Sequence, residues 1–329
     1  MAHDIIFFLI GLVLIVAGGN FLTDGASAVA RRFNIPGLVI GLTIVAFGSS
    51  TPDLVVCLTS TLRDKSELAL GDVVGANIFD LLLVVGVVAL VRPIPITREM
   101  LWRDLPMAVL SSLALFFCGD DILFDGAEAD IIDRTDGLML LAFFIIFMVY
   151  TFSMVRQQRP AAAAGTPAAP QQGRGRGGMW LAAAGIAGGL AALVVGGNWL
   201  VDGASGIARR AGLSEGVIGL TVVGFGSSVP DLATSVIAAA KRQPGIALGN
   251  VVGSCIFNVF LVVGLCSTVR PLNAGTISAF DFGTLAVGAL LVWLFGAIIG
   301  RRVITRGEGA VLVVVYLAYA ARLVMSIVE

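Results

Sequence analysis

Histidine occurs once in the 329 residues, as His3, so no imidazole is on hand for a Ser-His-Asp triad or for a zinc or iron centre built on histidine. Cysteine occurs four times, and Cys57, Cys118, Cys255 and Cys266 lie in or beside apolar runs with no CxxC spacing. They are expected as small buried hydrophobes, not as disulfide partners or metal ligands. Charge is scarce: 13% of residues are Asp, Glu, Lys or Arg, against about 25% in a soluble domain. The net charge of −1 leaves no broad basic face for nucleic acid. The start, MAHD followed by an apolar run, has no basic n-region and no small-residue cleavage site, and no signal peptide is expected.

What the chain has in abundance is apolar length. Hydrophobic residues make up 57% and the mean hydropathy is +0.97. Apolar stretches fall near 5–30, 36–62, 68–91, 105–118, 136–155, 179–207, 214–240, 246–269, 279–299 and 308–326. Ten bilayer spans of about 20 residues need roughly 200 residues, which the chain holds. The expectation is an all-α polytopic membrane protein with ten transmembrane helices. Between the fifth and sixth stretches, residues 156–178 are rich in Pro, Gly, Ala and Gln and are expected to be a flexible linker, too short for a folded regulatory domain.

With the N-terminus placed outside, the inside loops hold 14 Lys and Arg and the outside loops 7. The positive-inside rule then puts both termini on the extracellular or periplasmic face of the plasma (inner) membrane, with the linker cytoplasmic. The loop from Asp120 to Asp133, with six carboxylates, then faces the exterior.

The chain repeats itself at a constant offset of 178. GGNFLTDGASAVARR at 18–32 recurs as GGNWLVDGASGIARR at 196–210. VIGLTIVAFGSSTPDL at 39–54 recurs as VIGLTVVGFGSSVPDL at 217–232, and ALGDVVGANIFD at 69–80 as ALGNVVGSCIFN at 247–258. Over 18–93, 39 of 76 positions match their partner. Five spans separate matching points, and five is odd, so the second copy crosses the membrane in the opposite sense. Inverted-topology repeats of this kind build secondary transporters with a site at the midplane. The domains follow: a first five-helix repeat at 1–155 (motif 18–93), the linker at 156–178, and an inverted second repeat at 179–329 (motif 196–271).

Chemistry concentrates in GSSTPD (48–53) and GSSVPD (226–231), each in the middle of an apolar span. Pro52 and Pro230 are expected to kink or break their helices and to free carbonyls near Ala46, Phe47, Ser49, Gly224, Phe225 and Ser227. Beside these lie the hydroxyls of Ser49, Ser50, Ser227 and Ser228 and the carboxylates of Asp53 and Asp231. Carboxylate, hydroxyl and carbonyl oxygens are what hard cations such as Ca2+ choose. Close helix packing explains the glycines and serines. It does not explain aspartates, each of which costs upward of about 3 kcal/mol at the bilayer centre. The next span adds the repeat-paired Asp80 and Asn258, with Ser254 on the second copy only. Asp72 and its partner Asn250 are expected as helix-end or packing residues, and Asp24 and Asp202 as helix-end or loop groups near the interface. Two mid-membrane aspartates also suit an intramembrane aspartyl protease, but its GxGD signature is missing, and no enzyme is expected.

These paired motifs resemble the alpha-repeats of the cation/Ca2+ exchanger superfamily, in particular its prokaryotic sodium/calcium exchangers. The resemblance covers 18–93 and 196–271 closely. It implies an antiporter that exchanges Ca2+ for Na+ by alternating access, with H+ or K+ as the alternative counter-ion. It also implies three Na+ sites and one Ca2+ site around the two broken helices. Carried over by position, the metal ligands are Ala46, Ser49, Ser50, Asp53 and Asp80 from the first copy, and Gly224, Ser227, Ser228, Asp231, Ser254 and Asn258 from the second. Two departures stand out. Asp occupies positions 53 and 231 where the prokaryotic exchangers usually carry Glu, and the acid/amide order at 80 and 258 is reversed. Besides the transported ions and the lipid bilayer, no cofactor and no obligate protein partner is expected.

Overall fold

The computed structural model describes residues 2–33, 35–126, 129–163, 176–210, 226, 228–275, 277–299 and 302–328. These are helical almost throughout. The helices are α1 (Ala2–Phe33), α2 (Gly37–Ser49), α3 (Thr51–Leu62), α4 (Ser66–Val91), α5 (Met100–Gly119), α6 (Asp121–Asp125), α7 (Arg134–Ala163), α8 (Arg176–Arg210), α9 (Val229–Ala240), α10 (Pro244–Val269), α11 (Ala279–Ala297) and α12 (Arg306–Val328). Among the described residues seven helices are long and apolar enough to cross a bilayer, or eight if the bent pair α2–α3 is one span. Hydrogen bonds inside a helix leave no backbone polar group facing hydrocarbon, which is why apolar runs of this length take that form. The protein is an all-helical, multi-pass membrane protein.

The internal repeat is visible in the elements. Helix α4 maps onto α10 residue for residue at the 178 offset, since 66–91 becomes 244–269. Helices α3 and α9 end in matching turns, although 55–68 and 233–246 share no identical residue. Asp64 and Arg242 both adopt a φ of 61°. The amides of Lys65 and Gln243 reach back to the carbonyls of Ser60 and Ala238, both at 2.9 Å. Such a left-handed residue closing the last carbonyls of a helix needs backbone geometry, not a particular side chain.

Several seams join the repeats, the α1–α8 pair the most extensive among the described residues. Helix α1 lies antiparallel against α8, with Gly11, Gly18 and Gly25 spaced by seven and their partners Gly189, Gly196 and Gly203 spaced likewise. Seven residues are nearly two turns, so each trio lines one face and lets two backbones approach closely. A Cβ on Gly18 would lie 2.8 Å from the Gly189 carbonyl oxygen. Another seam packs α2 on α10: a Cβ on Gly41 would meet the Ile246 carbonyl at 2.8 Å, and one on Gly253 would meet Ala46 Cβ at 2.6 Å. This contact sets the site described below.

Four two-residue strands tie loops together in antiparallel pairs. Strand β1 (Ile94–Pro95) pairs with β4 (Val303–Ile304), and β2 (Ile131–Ile132) with β3 (Leu272–Asn273). Each pair takes one strand from either half of the chain.

Two details depart from expectation. Residues 156–163 and 176–178, placed in the linker, continue α7 and begin α8, as the helix-favouring Ala161–Ala163 and Arg side chains allow; 164–175 lie outside the described residues. Asp24 and Asp202 lie within α1 and α8 instead of at helix ends. Asp24 pairs there with Lys241 at 2.8 Å. The seventh span is described only from Gly226 onward, apart from Ser227.

The α1–α8 seam gives a stability test. Gly18→Leu should destabilise the protein by about 1–3 kcal/mol, because the side chain must push two backbones apart. Gly188→Leu, at a position whose Cβ meets nothing within 4 Å, should leave the thermal midpoint of the detergent-solubilised protein near wild type. Equal midpoints for the two variants would contradict the close-packed seam.

Candidate cation site

Proline gives the site its frame. Pro52 has no amide hydrogen to donate to Gly48, so the helix turns at Ser50 (φ −81°, ψ −2°) and α2 meets α3 at 42°. Ser228 has the same geometry (φ −92°, ψ −3°) ahead of Pro230 and α9. Asp53 and Asp231 therefore fall in the first turn of α3 and α9. The positive end of a helix dipole favours a carboxylate there. The break is a tight turn and not an opened loop. The Ala46 carbonyl, expected to be free, accepts the Ser50 amide at 2.9 Å and Ser49 Oγ at 3.1 Å. The Phe47 carbonyl accepts Thr51 Oγ1 at 2.7 Å. The bend keeps the Ser50 amide on the Ala46 carbonyl at 2.9 Å and the Leu54 amide on the Ser50 carbonyl at 3.0 Å, one on either side of the hinge.

Several of the expected ligands meet across the repeats, Ser49 with Ser254 and Asp53 with Asn258. Ala46, Ser49, Ser50, Asp53, Asp80, Ser228, Asp231, Ser254 and Asn258 are each at most 3% exposed. Gly224 and Ser227 lie outside the described residues. Asn258 Nδ2, from α10, donates to Asp53 Oδ2 at 3.0 Å and to Asn77 Oδ1 at 3.2 Å. Asn77 Nδ2 in turn donates to the Cys255 carbonyl at 3.3 Å. Ser254 Oγ donates to Asp231 Oδ1 at 3.2 Å and lies 3.1 Å from Ser49 Oγ. One carboxylate is thus held from across the repeat boundary and the other from within its own repeat.

Sequence reasoning placed Asn250 among helix-end or packing residues, and the structure corrects this. Asn250 is fully buried; its Nδ2 donates to Asp231 Oδ1 at 2.7 Å and to Ser235 Oγ at 3.1 Å, and its Oδ1 accepts from Ser49 Oγ at 3.2 Å. Its sequence signal was its repeat partner, Asp72, a further acid inside an apolar span. A second unexpected feature is a π-helical turn at each of the paired positions, Phe79–Val84 around Asp80 and Phe257–Val263 around Asn258. Such turns widen the helix locally and are frequent at functional sites.

The oxygens are hard and their charge is negative. Ser50 Oγ, Asp53 Oδ1, Asp80 Oδ1, Ser228 Oγ and Asn258 Oδ1 are buried without a hydrogen-bond partner. Buried polar atoms are ordinarily paired, so five unpaired oxygens in one region fit a cation as partner. The charge of Asp80 repels those of Asp53 and Asp231, and among the described residues no Lys or Arg is buried to balance them. No three acidic, His or Cys side chains among the described residues are close enough to hold an ion by themselves. Amides and hydroxyls donate to Asp53 and Asp231, and a metal there takes hydroxyl and carbonyl oxygens along with the acids. All four cysteines are free and buried, as expected.

Comparison with known proteins finds relatives along most of the chain. The family described as sodium/calcium exchanger protein matches residues 3–153 and 181–325. The putative antiporter CaxA of Alkalimonas amylolytica is 33% identical over 327 residues, covering 95% of this chain and 96% of its own. The inner membrane protein YrbG of Escherichia coli K12 is 33% identical over 267 residues, covering 80% and 79%. A structure of the sodium-calcium exchanger NCX_Mj, soaked with 2.5 mM Na+ and 0.1 mM Ca2+, superposes with a TM-score of 0.81 at 26% identity, covering 97% of both chains.

The grip of Asn250 on Asp231 is measurable. Asn250→Ala leaves the buried Asp231 with Ser254 as donor but without its shortest hydrogen bond, and losing a hydrogen bond to a charged group costs about 1.5–3 kcal/mol. The thermal midpoint in chelator should fall by several degrees, and added Ca2+ should raise it more than in wild type. An unchanged midpoint in chelator would show that Asp231 does not depend on this amide.

Proposed function

The chain belongs to the sodium/calcium exchanger family, and from that membership we propose that it exchanges Ca2+ for Na+ across the plasma membrane by alternating access. It is a cation/Ca2+ antiporter of a transporter family and not an enzyme. The observation that carries the finer reading is the pair of buried aspartates, Asp53 and Asp231, each at a proline-marked helix start and each held by an amide of α10. A Ca2+ that takes Asp53 Oδ2 or Asp231 Oδ1 competes with Asn258 or Asn250, whereas Asp53 Oδ1 has no partner to displace. Two carboxylates neutralise one Ca2+, or they are shared among several Na+, but they do not serve both loads together. Ser49, Ser50, Ser228 and Ser254, the carbonyl of Ala46 and, by repeat position, Gly224 and Ser227 complete the ligand set. Asp80 and Asn258 form the layer that distinguishes the two loads.

The ten-span, inverted arrangement, with repeats at 1–155 and 179–329 around a cytoplasmic connection at 156–178, is supported by the strand pairs. Paired strands lie on one side of the membrane. Between β2 and β3 an even number of crossings is therefore needed; α7, α8 and α10 make three, so α9 belongs to a fourth. A second reading keeps Ca2+ and changes the counter-ion to H+ or K+. It is favoured by Asp80, a buried acid whose Oδ1 has no partner and which can carry a proton.

The test is 45Ca2+ uptake into proteoliposomes loaded with Na+, with K+ or with a proton gradient in turn. Na+ loading should drive uptake, and uptake on K+ or H+ loading alone would replace the counter-ion. Asp53→Asn and Asp231→Asn should each abolish Ca2+ exchange in protein that remains monodisperse and inserted, and wild-type uptake in either would remove that residue from the site. Orientation is tested with Asp125→Cys and Pro170→Cys in a background lacking the four native cysteines. An impermeant maleimide added to intact cells should label position 125 and spare 170, and the reverse pattern would invert the topology.

A further inference from the structure

The two repeats keep the same pair of opposite charges, but only one of the pairs is formed. An offset of 178 takes Asp24 to Asp202 and Lys241 to Arg63. Between 55–68 and 233–246, which share no identical residue, Arg63 and Lys241 mark the one position where both copies carry a charge of the same sign. Lys241, just past the end of α9, pairs with Asp24 of α1 at 2.8 Å and donates to the Asn20 carbonyl at 3.3 Å. Two residues on, Gln243 accepts from Ser27 Oγ. Among the described residues no ion pair joins Arg63 to Asp202, and both are exposed.

The two pairs of positions lie at opposite faces. Helices α1 and α8 are antiparallel: a Cβ on Gly25, beside Asp24, would meet Ala182 near the start of α8, and one on Gly203, beside Asp202, would meet Asp4 at the start of α1. Helix α10 runs from beside Lys241 toward Arg270 over 26 residues, about 39 Å. Arg270 in turn pairs with Asp64. Arg63 therefore lies across the membrane from Lys241, on the side of Asp202.

Packing is one-sided in the same sense. Helix α1 lies along α9, where a Cβ on Gly19 would come within 2.6 Å of Ile237 Cδ1. At the matching place a Cβ on Gly197 would first meet Pro230 and Gly226 of its own repeat. Thr59, the counterpart of Ile237, is exposed, as are Val55 and Leu62 on the same helix at 55% and 61%. One repeat is clasped and the other is not.

Two arrangements related by exchange of near-identical repeats differ little in their contacts, and alternating access moves one repeat against the other. We propose that Asp24–Lys241 and Asp202–Arg63 are ion-pair latches that close in turn, the first in the state described here and the second in the state open to the other face. Parting Asp24 from Lys241 frees α1 from α9. Arg63 reaching Asp202 draws α8 over the exposed face of α3. An exposed ion pair is weak, so each latch biases its state without freezing it. This inference rests on the alternating-access reading and adds to it the groups that hold each state.

The full-length chain, in a background lacking the four native cysteines, is reconstituted with either Asp24→Cys and Lys241→Cys or Arg63→Cys and Asp202→Cys. A short bis-methanethiosulfonate linker reports proximity, read by intact mass as one linker bound against two. Across chelator, CaCl2 and NaCl the two bridging yields should move in opposite directions, and yields that rise and fall together would overturn the proposal. Adding Asp24→Asn to the second pair should raise its bridging by up to about fivefold, the ceiling for an exposed ion pair. Adding Asp24→Lys with Lys241→Asp should return it to its starting value. No change with Asp24→Asn, or no recovery with the exchanged charges, would refute the latch. If the charge-exchanged protein is not monodisperse, Lys241→Gln takes its place and must match Asp24→Asn; a different effect refutes the latch. Bridging either pair should stop 45Ca2+ exchange until reductant is added. Exchange that continues through a bridged 24–241 pair would refute the latch while leaving the antiporter reading intact. Reciprocal yields in a protein that moves no 45Ca2+ under any gradient would refute the antiporter reading and leave the latches standing.

Discussion

Burying several carboxylates where nothing basic is buried is the constraint on which the rest of the structure depends. An ionised acid in a medium of low dielectric is costly unless it is paired, and the described core pairs Asp53 and Asp231 with no Lys or Arg. What compensates is local. Each aspartate lies in the first turn of a helix that begins at a proline, where the dipole favours negative charge, and each accepts from an asparagine on α10. The hinge at Ser50 and its counterpart at Ser228 exist to start those helices at the right depth.

The compensation is only partial, which makes the arrangement suited to exchange. Five buried oxygens remain without partners, and Asp80 adds its charge to a region that already holds two acids. A cation relieves both problems at once, and where it takes Asp53 Oδ2 or Asp231 Oδ1 it competes with the asparagine amides bound there. Cation-free and loaded arrangements therefore compete for the same oxygens. Helix α10 supplies Asn250, Ser254 and Asn258 within nine residues, and its seam with α2 is so tight that it would not accept a Cβ on Gly253. Binding at one repeat is thus felt at the contact between repeats, a physical basis for coupling occupancy to conformation.

Much of this was legible in the sequence because the repeat is gapless. The offset of 178 singled out GSSTPD and GSSVPD and the pair Asp80 and Asn258, and of these the structure links Ser49, Asp53, Asp231 and Asn258 into hydrogen bonds that also engage Asn77, Asn250 and Ser254. What the sequence did not disclose follows from packing. Asn250 read as an ordinary polar residue near a helix end because its partner, Asp231, lies nineteen positions away on another helix. The π turns around Asp80 and Asn258 leave no composition signal, since Phe79–Val84 reads as uninterrupted apolar helix. The mildness of the bend at Ser50 was hidden as well: proline announces a break, but how far the helix opens depends on whether Ser49, Ser50 and Thr51 satisfy the carbonyls nearby, as they do here. The matching turns at Asp64 and Arg242 show the converse, a shared backbone with no shared side chains.

The central claim is that Asp53 and Asp231 hold either Ca2+ or its counter-ions and never both. Equilibrium binding of 45Ca2+ to the purified full-length protein, titrated with NaCl, with KCl and with acid in turn, tests it most directly. Na+ should displace Ca2+ completely and with a slope steeper than one-for-one, lowering apparent affinity without lowering the number of Ca2+ sites. Bound 45Ca2+ that persists at saturating Na+, K+ and H+ would show that the acids hold Ca2+ independently of any counter-ion, and the account would be contradicted.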